Sequence, residues 1–240
     1  MDDESSKITD ATKEEKEAFE ILSRIKPEYI TKYLYTNREE ALEKHNSLFR
    51  NEEELKVWFD REFQKWFFIH KDIKGKGYVN KREHQIEADF ILEPKNELLE
   101  KGITSFIGVE VKYINPKKEF LTQLNRLSFQ ALSYSYSNSE WLIDGKHITT
   151  DAFIVFTNLS FSTEKNIFDT IDGHHQLWWK ANLALINHAN VGELRINQYS
   201  SLKSWYLYFA GNIYFKWDKK SGISLVNPNV IGKYRIGNVR

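Results

Sequence analysis

The 240-residue chain contains no cysteine. Disulfides, Cys-ligated zinc and a thiol nucleophile are excluded with it. It also lacks an excess of either charge, since 34 Lys and Arg face 34 Asp and Glu. A protein that merely coats nucleic acid is usually strongly basic, so that class is disfavoured. No apolar run approaches the roughly 18 residues of a membrane span. No internal repeat or low-complexity tract occurs, and no linker forces two independent domains. Lys74-Gly75-Lys76-Gly77 lacks the spacing of a phosphate loop and reads as a turn into a hairpin. Met1-Asp2-Asp3-Glu4 does not open a signal peptide. The expectation is a soluble, cytoplasmic, globular protein.

What is present suffices for a core without staples: 41% hydrophobic residues, 15% aromatic. Neutrality hides two biased ends. Residues 1–20 carry eight acids and three lysines, and residues 201–240 carry seven Lys/Arg and one Asp. Helical signals dominate the first 70 residues, with helices expected over Lys13–Ile25 and Arg38–Phe49. Asn51 and Glu54 then give a capping-box-like start to a helix reaching about Ile69. Its apolar stripe is Leu55, Phe59, Phe63 and Trp66, with Glu62 inside it. After the Lys-Gly repeat the period changes to two. Tyr78–Arg82 and Ile86–Leu92 read as paired strands, and Ile103–Lys112 as a third. Asn115-Pro116 opens a helix carrying Leu124, Leu127, Ala131 and Tyr134. Asp151–Thr157 is a strongly apolar strand suited to a sheet interior. Phe161–Asn187 reads as mostly helical, followed by short aromatic strands over Glu193–Asn197, Ser204–Ala210 and Ile213–Trp217.

Three residues carry the chemistry. Alternate residues of a strand share a face, so Glu110 and Lys112 project together and Val109 and Val111 project oppositely. If the strands pair, Asp89 joins Glu110 and Lys112. Two close carboxylates beside apolar strands repel and lose solvation, and a divalent cation relieves both costs. Mg²⁺ prefers oxygen ligands and keeps several waters, so Asp89, Glu110 and the Val111 carbonyl form a reasonable ligand set. Lys112 would then orient or deprotonate the metal's water, or neutralise charge on a phosphate. An isolated Glu-x-Lys is commonplace in surface strands. Here it follows an Asp in an otherwise apolar strand, with a helix before the hairpin and a helix and buried strand after it.

Asp89 followed by Glu110-Val111-Lys112 in that order of elements resembles the PD-(D/E)XK nuclease superfamily over about residues 52–157. Ala88 stands where the family's pattern has Pro. The resemblance implies an α+β fold with a restriction-endonuclease-like αβββαβ core over 51–160. A helical extension over 1–50 would precede it, and a mixed helix and strand extension packed on the core would occupy 161–240. It also implies Mg²⁺-dependent hydrolysis of phosphodiesters by metal-activated water, in DNA rather than RNA, with Mn²⁺ able to substitute. Many members place a Glu on the helix before the hairpin, and Glu62 matches that role or is a Glu paired with a nearby cation. A polar residue on the following helix is also common, and Gln130 looks similar. Glu87, two residues from Asp89, is an auxiliary candidate. A one-site nuclease that cuts both strands would dimerise. The tail is loosely similar to nuclease-like proteins of phages and plasmids.

The histidines His174, His175 and His188 match no ligand spacing. In the tail, Lys216, Lys219 and Lys220 are candidate phosphate contacts. The interleaved Trp205, Tyr206, Tyr208, Tyr214 and Trp217 are either a stacking surface or half-buried core. Two other function classes remain open: a non-catalytic nucleic-acid-binding protein on a nuclease-like fold, and a protein-binding inhibitor or adaptor.

Overall fold

Asn51 caps the first helix among the described residues of the computed structural model, which are 49–115, 118–161, 173–197 and 204–231. Its side chain accepts from the Glu54 N–H at 2.9 Å, while Glu54 reaches back to the Arg50 N–H. The expected capping start is therefore present. The chain divides into Met1–Asn46 and Ser47–Arg240, and all described residues belong to the second unit. The helices expected before residue 49 lie outside the described residues.

Helix α1 spans Glu52–Phe63 and buries Leu55, Phe59 and Phe63. It stops well short of Ile69, because Phe67 already begins β1 (Phe67–Val79). Strand β1 pairs along its length with β2 (Arg82–Pro94). The Lys-Gly repeat is thus strand and not turn. Glycine is needed there for close approach: a Cβ on Gly75 would lie 2.5 Å from the Glu140 carbonyl, and one on Gly77 would lie 2.7 Å from Ser137 Oγ. The actual turn is Asn80-Lys81, both at positive φ, as a type I′ hairpin requires.

A short helix α2 (Asn96–Leu99) leads to β3 (Ile107–Lys112). Helix α3 (Phe120–Tyr136) follows, burying Leu124, Leu127 and Ala131 as the periodicity predicts. It starts at Phe120, later than the expected Pro116, which lies outside the described residues. An unexpected hairpin, β4 (Glu140–Ile143) and β5 (Lys146–Thr149), intervenes before β6 (Ala152–Thr157). Every residue of β6 is buried, matching its reading as an interior strand. Helix α4 (Gly173–Asn187) and strands β7 (Val191–Asn197), β8 (Ser204–Phe209), β9 (Asn212–Asp218) and β10 (Gly222–Leu225) complete the order.

The ten strands among the described residues form one mixed sheet, ordered β10-β9-β8-β7-β6-β3-β2-β1-β4-β5. The β3–β6 and β6–β7 pairs are parallel and the rest antiparallel. The fold class is therefore mixed α+β. The aromatic strands of the tail extend the main sheet.

The sheet has a core on each face. Phe59, Phe63, Val109, Val111, Ile154 and Phe156 pack together on the α1 face. Leu124, Leu127, Phe153, Val155, Trp179 and Leu183 pack on the face covered by α3 and α4. The successive residues Phe153, Ile154, Val155 and Phe156 alternate between the two. None of the described helices is long and apolar enough to cross a membrane.

Candidate active site

The β2–β3 ladder runs Leu92↔Ile107, Ile91↔Gly108, Phe90↔Val109 and ends there. One step on, Asp89 does not continue it with backbone groups. Its Oδ2 accepts the Val111 N–H at 2.7 Å. The irregularity extends to β1, where Asp72 has φ 48° and the ladder skips from Lys71↔Phe90 to Ile73↔Ala88. Strand β2 turns over at this point. Phe90 and Leu92 face the α1 core, whereas Ala88 and Ile91 face the α3 core. Asp89 therefore sits where the strands part and its carboxylate reaches across the gap.

Glu110 alternates with Val109 and Val111, which lie in the α1 core, so it projects toward α3. It is 5% exposed, and its Oε2 is buried with no hydrogen-bond partner. Burial, then the charge of Asp89, pushes its carboxyl up to about 8, against a smaller pull from Lys112. Asp89 is also raised, by burial first, with the Lys56 and Val111 hydrogen bonds opposing. Glu110 is consequently protonated at neutral pH in the metal-free protein, a carboxyl held neutral by its surroundings.

Helix α1 contributes two residues that the sequence reading missed. Lys56 Nζ lies 2.5 Å from Asp89 Oδ1, and Glu52 Oε2 lies 2.6 Å from Lys112 Nζ. Burial depresses Lys56, but Asp89, Glu52 and Asp72 outweigh it and hold the ammonium above its ordinary range. Glu52 and Lys56 are one turn apart, flanking the buried Leu55–Phe59 stripe, so both reach the sheet end from one side.

Of the two expected readings of Glu62, the structure shows the pairing with a nearby cation. Glu62 is not in the buried stripe: its side chain is 43% exposed and pairs with Arg61 at 3.3 Å. The α1 acid that does meet the cluster is Glu52, ten positions earlier, through Lys112. Gln130 reaches the cluster indirectly. It hydrogen-bonds Tyr134, whose phenol is raised by burial and next by Glu110. Tyr134 donates to the Glu87 carbonyl at 2.9 Å, and Gln130 Oε1 is buried without a partner. Glu87 itself is exposed and offers only that carbonyl. Val111 enters through its N–H, with its side chain in the α1 core. Lys216, Lys219 and Lys220 lie on β9 and the turn after it, away from this cluster in sequence and on other strands.

Among the described residues, no group of three or more His, Asp and Glu side chains stands ready to hold a metal ion. The donors nonetheless fit one. An unpartnered buried carboxyl oxygen beside a second carboxylate is an arrangement that a cation relieves, and Mg²⁺ needs only one or two carboxylates because it keeps its waters. Loading would require Asp89 to exchange Lys56 for the cation and Glu110 to lose its proton. Mg²⁺ affinity should therefore rise about tenfold per pH unit up to about pH 8 and level off above, with about one proton released per ion. Calorimetric titration in two buffers of different ionisation enthalpy measures both. A pH-independent affinity would show that Glu110 is not a ligand.

No protein-family model, curated protein or solved structure matches the chain.

Proposed function

We propose that the chain is a Mg²⁺-dependent nuclease of the PD-(D/E)XK type, hydrolysing phosphodiester bonds, in DNA rather than RNA. The observation that carries this reading is the meeting of Asp89, the buried Glu110 and Lys112 where β2 and β3 part. Support also comes from the order α1-β1-β2-β3-α3-β6 with β3 and β6 parallel. That order is the one expected of a restriction-endonuclease-like core, with β4–β5 and β7–β10 added at the two sheet edges.

Asp89 and Glu110 would hold the cation, with the Val111 carbonyl as a further oxygen and Mn²⁺ as a substitute. When bound, the cation supplies Lewis acidity toward the phosphate and its attacking water. Lys112 places a positive charge beside the scissile phosphate and is within reach of a transferring proton. Glu52 is a positioning residue that holds the Lys112 ammonium in place. Lys56 neutralises Asp89, and a bound cation would take over that role. The Gln130–Tyr134 pair forms the polar wall toward α3.

The pairing of Asp89 with Lys56 and of Lys112 with Glu52 favours a second reading: a non-catalytic nucleic-acid-binding protein on the same fold. Plasmid and labelled oligonucleotide incubated with the protein in Mg²⁺ and in EDTA separate the two. Cleavage in Mg²⁺ alone is expected. Retarded but uncut nucleic acid in both would establish the second reading.

A further inference from the structure

We propose that the outer face of α3 and α4 is the interface of a homodimer, in which α4 packs antiparallel on α4 of a second copy across a two-fold axis near Ala181. Gln130 and Tyr134 lie on another flank of α3, so an interface here does not depend on the nuclease reading.

The two helices lie side by side. Phe120 meets the His175 ring with centroids 4.2 Å apart. Ser128 Oγ donates to Asn182 Oδ1 at 3.0 Å, and Ser135 Oγ donates to the Ala189 carbonyl at 3.2 Å. The sequence offset stays nearly constant along these three levels, so the helices run parallel and in step. Inward, they bury Leu124, Leu127, Trp179, Leu183 and Ile186. Outward, Leu121 and Phe129 of α3 and Leu177, Trp178 and Leu185 of α4 stand exposed, Phe129 by 73% and Leu177 by 62%. A helix that is apolar all round is one that is covered all round, yet the outer side of α4 faces solvent. The same helices are almost free of charge. Across their 17 and 15 residues stand Arg126, Lys180 and no acid, in a chain that is 28% charged. Neither cation is on the face. Arg126 is one turn from Gln130, on the flank of α3 away from Ser128. Lys180 lines a cleft with Asn187, Glu193 and Arg195 on the far side of α4.

A second copy is the occupant this face fits. Homodimer interfaces are more apolar than transient ones and poor in charge at their core. A foreign partner met in passing is steered by charges on the rim, and the two cations here lie off the face. Two copies of the chain do not repel, since its 34 charges of each sign cancel. The five exposed side chains present on the order of 600 Å², taking roughly 180–250 Å² for each such residue when fully exposed. With Asn125, Ala181 and Ala184 exposed between them, the face approaches the roughly 800 Å² per partner of a stable interface. The layout of α4 also suits a two-fold. Trp178 lies one turn before Ala181 and Leu185 one turn after it. In an antiparallel pair centred there, each Trp178 meets the partner's Leu185, as an isologous contact requires. Alanine at the crossing lets the helix axes approach to about 8 Å.

Sedimentation equilibrium of the full chain at tens of micromolar, above the weakest dissociation constants of interfaces this size, should give twice the chain's 28.5 kDa. Trp178→Glu buries a carboxylate in the interface twice over and should weaken the dimer about 10²-fold or more, leaving a monomer still folded by circular dichroism. Lys180→Glu, on the cleft side, should leave the dimer intact. Because the chain has no cysteine, single introduced cysteines report position on a clean background. Ala181→Cys should be captured as a covalent dimer by a short bis-maleimide, and Lys219→Cys, in the turn after β9, should not. This capture decides the matter alone if Trp178→Glu fails to fold. A wild-type chain that stays at 28.5 kDa overturns the dimer. A dimer that withstands Trp178→Glu, or that is not captured through Ala181→Cys, overturns the assignment of this face.

Discussion

Glu110→Gln is expected to abolish cleavage and, in metal-free buffer, to make the protein more stable. The loss of activity follows from the proposed role of Glu110 as a cation ligand, since its Oε2 is buried and unpartnered. The gain in stability follows from linkage. The carboxyl titrates at about 8 in the folded chain against an ordinary 4.5. Between those values the folded state holds a proton that the unfolded state has released. The stability associated with that proton is therefore complete below about pH 4.5 and is lost as pH rises toward 8. An amide never ionises, so the variant escapes the loss. The difference at pH 7 should be on the order of 2–4 kcal/mol, less the cost of the extra buried N–H donors. Asp89→Ala should also abolish cleavage, but with the opposite sign in stability. It strips the Val111 N–H and Lys56 of their acceptor, a loss of about 1–3 kcal/mol. Urea melts of both variants at pH 5 and pH 7 distinguish two carboxylates that a cleavage assay alone would treat as equivalent.

Lys112→Ala is expected to lower the cleavage rate by about 10²-fold or more while leaving Mg²⁺ binding intact. Its ammonium shares a strand face with Glu110 and is held by Glu52 at 2.6 Å. Alanine removes the charge and the proton-transfer group together. Arginine keeps the charge, cannot act as a base, and carries a wider planar fork, so Lys112→Arg should recover little. Metal affinity should hold or tighten slightly, because a nearby positive charge has gone. Calorimetric Mg²⁺ titration beside single-turnover cleavage checks both halves. A Lys112→Ala variant that cuts at the wild-type rate would reduce the Glu-x-Lys pattern to ordinary strand alternation.

The central strands were legible because their signals are local. Asp89 interrupts an apolar run, Glu110 and Lys112 alternate with two valines, and 152–157 is uniformly apolar. The helical partner was misplaced because Trp66 seemed to continue the α1 stripe, which drew Glu62 inward. With the helix ending at Phe63, the stripe is Leu55–Phe59–Phe63, and the acid that meets Lys112 is Glu52 in the first turn, just after the Asn51 cap. A shorter helix was readable in the aromatic run Trp66-Phe67-Phe68, which suits a strand better. The β4–β5 hairpin carried its own signal. Asp144-Gly145 between Ile143 and Lys146 is a type I′ turn pair, and both residues have positive φ. Gly75 and Gly77 misled for the opposite reason. Their role is clearance for Glu140, Trp141 and Ser137, residues sixty or more positions away, and no local pattern reports that. The divergence of β2 from β3 at Asp89 was equally invisible, since it depends on the backbone of Asp72 across the sheet.

Diffraction from a crystal of the full chain soaked in Mn²⁺, recorded at a wavelength where manganese scatters anomalously, tests the metal site most directly. A peak is expected between Asp89 and Glu110, within about 2.2 Å of an oxygen of each, with Lys56 released from Asp89. A peak elsewhere, or none there under conditions in which the same protein cleaves nucleic acid, would contradict the assignment.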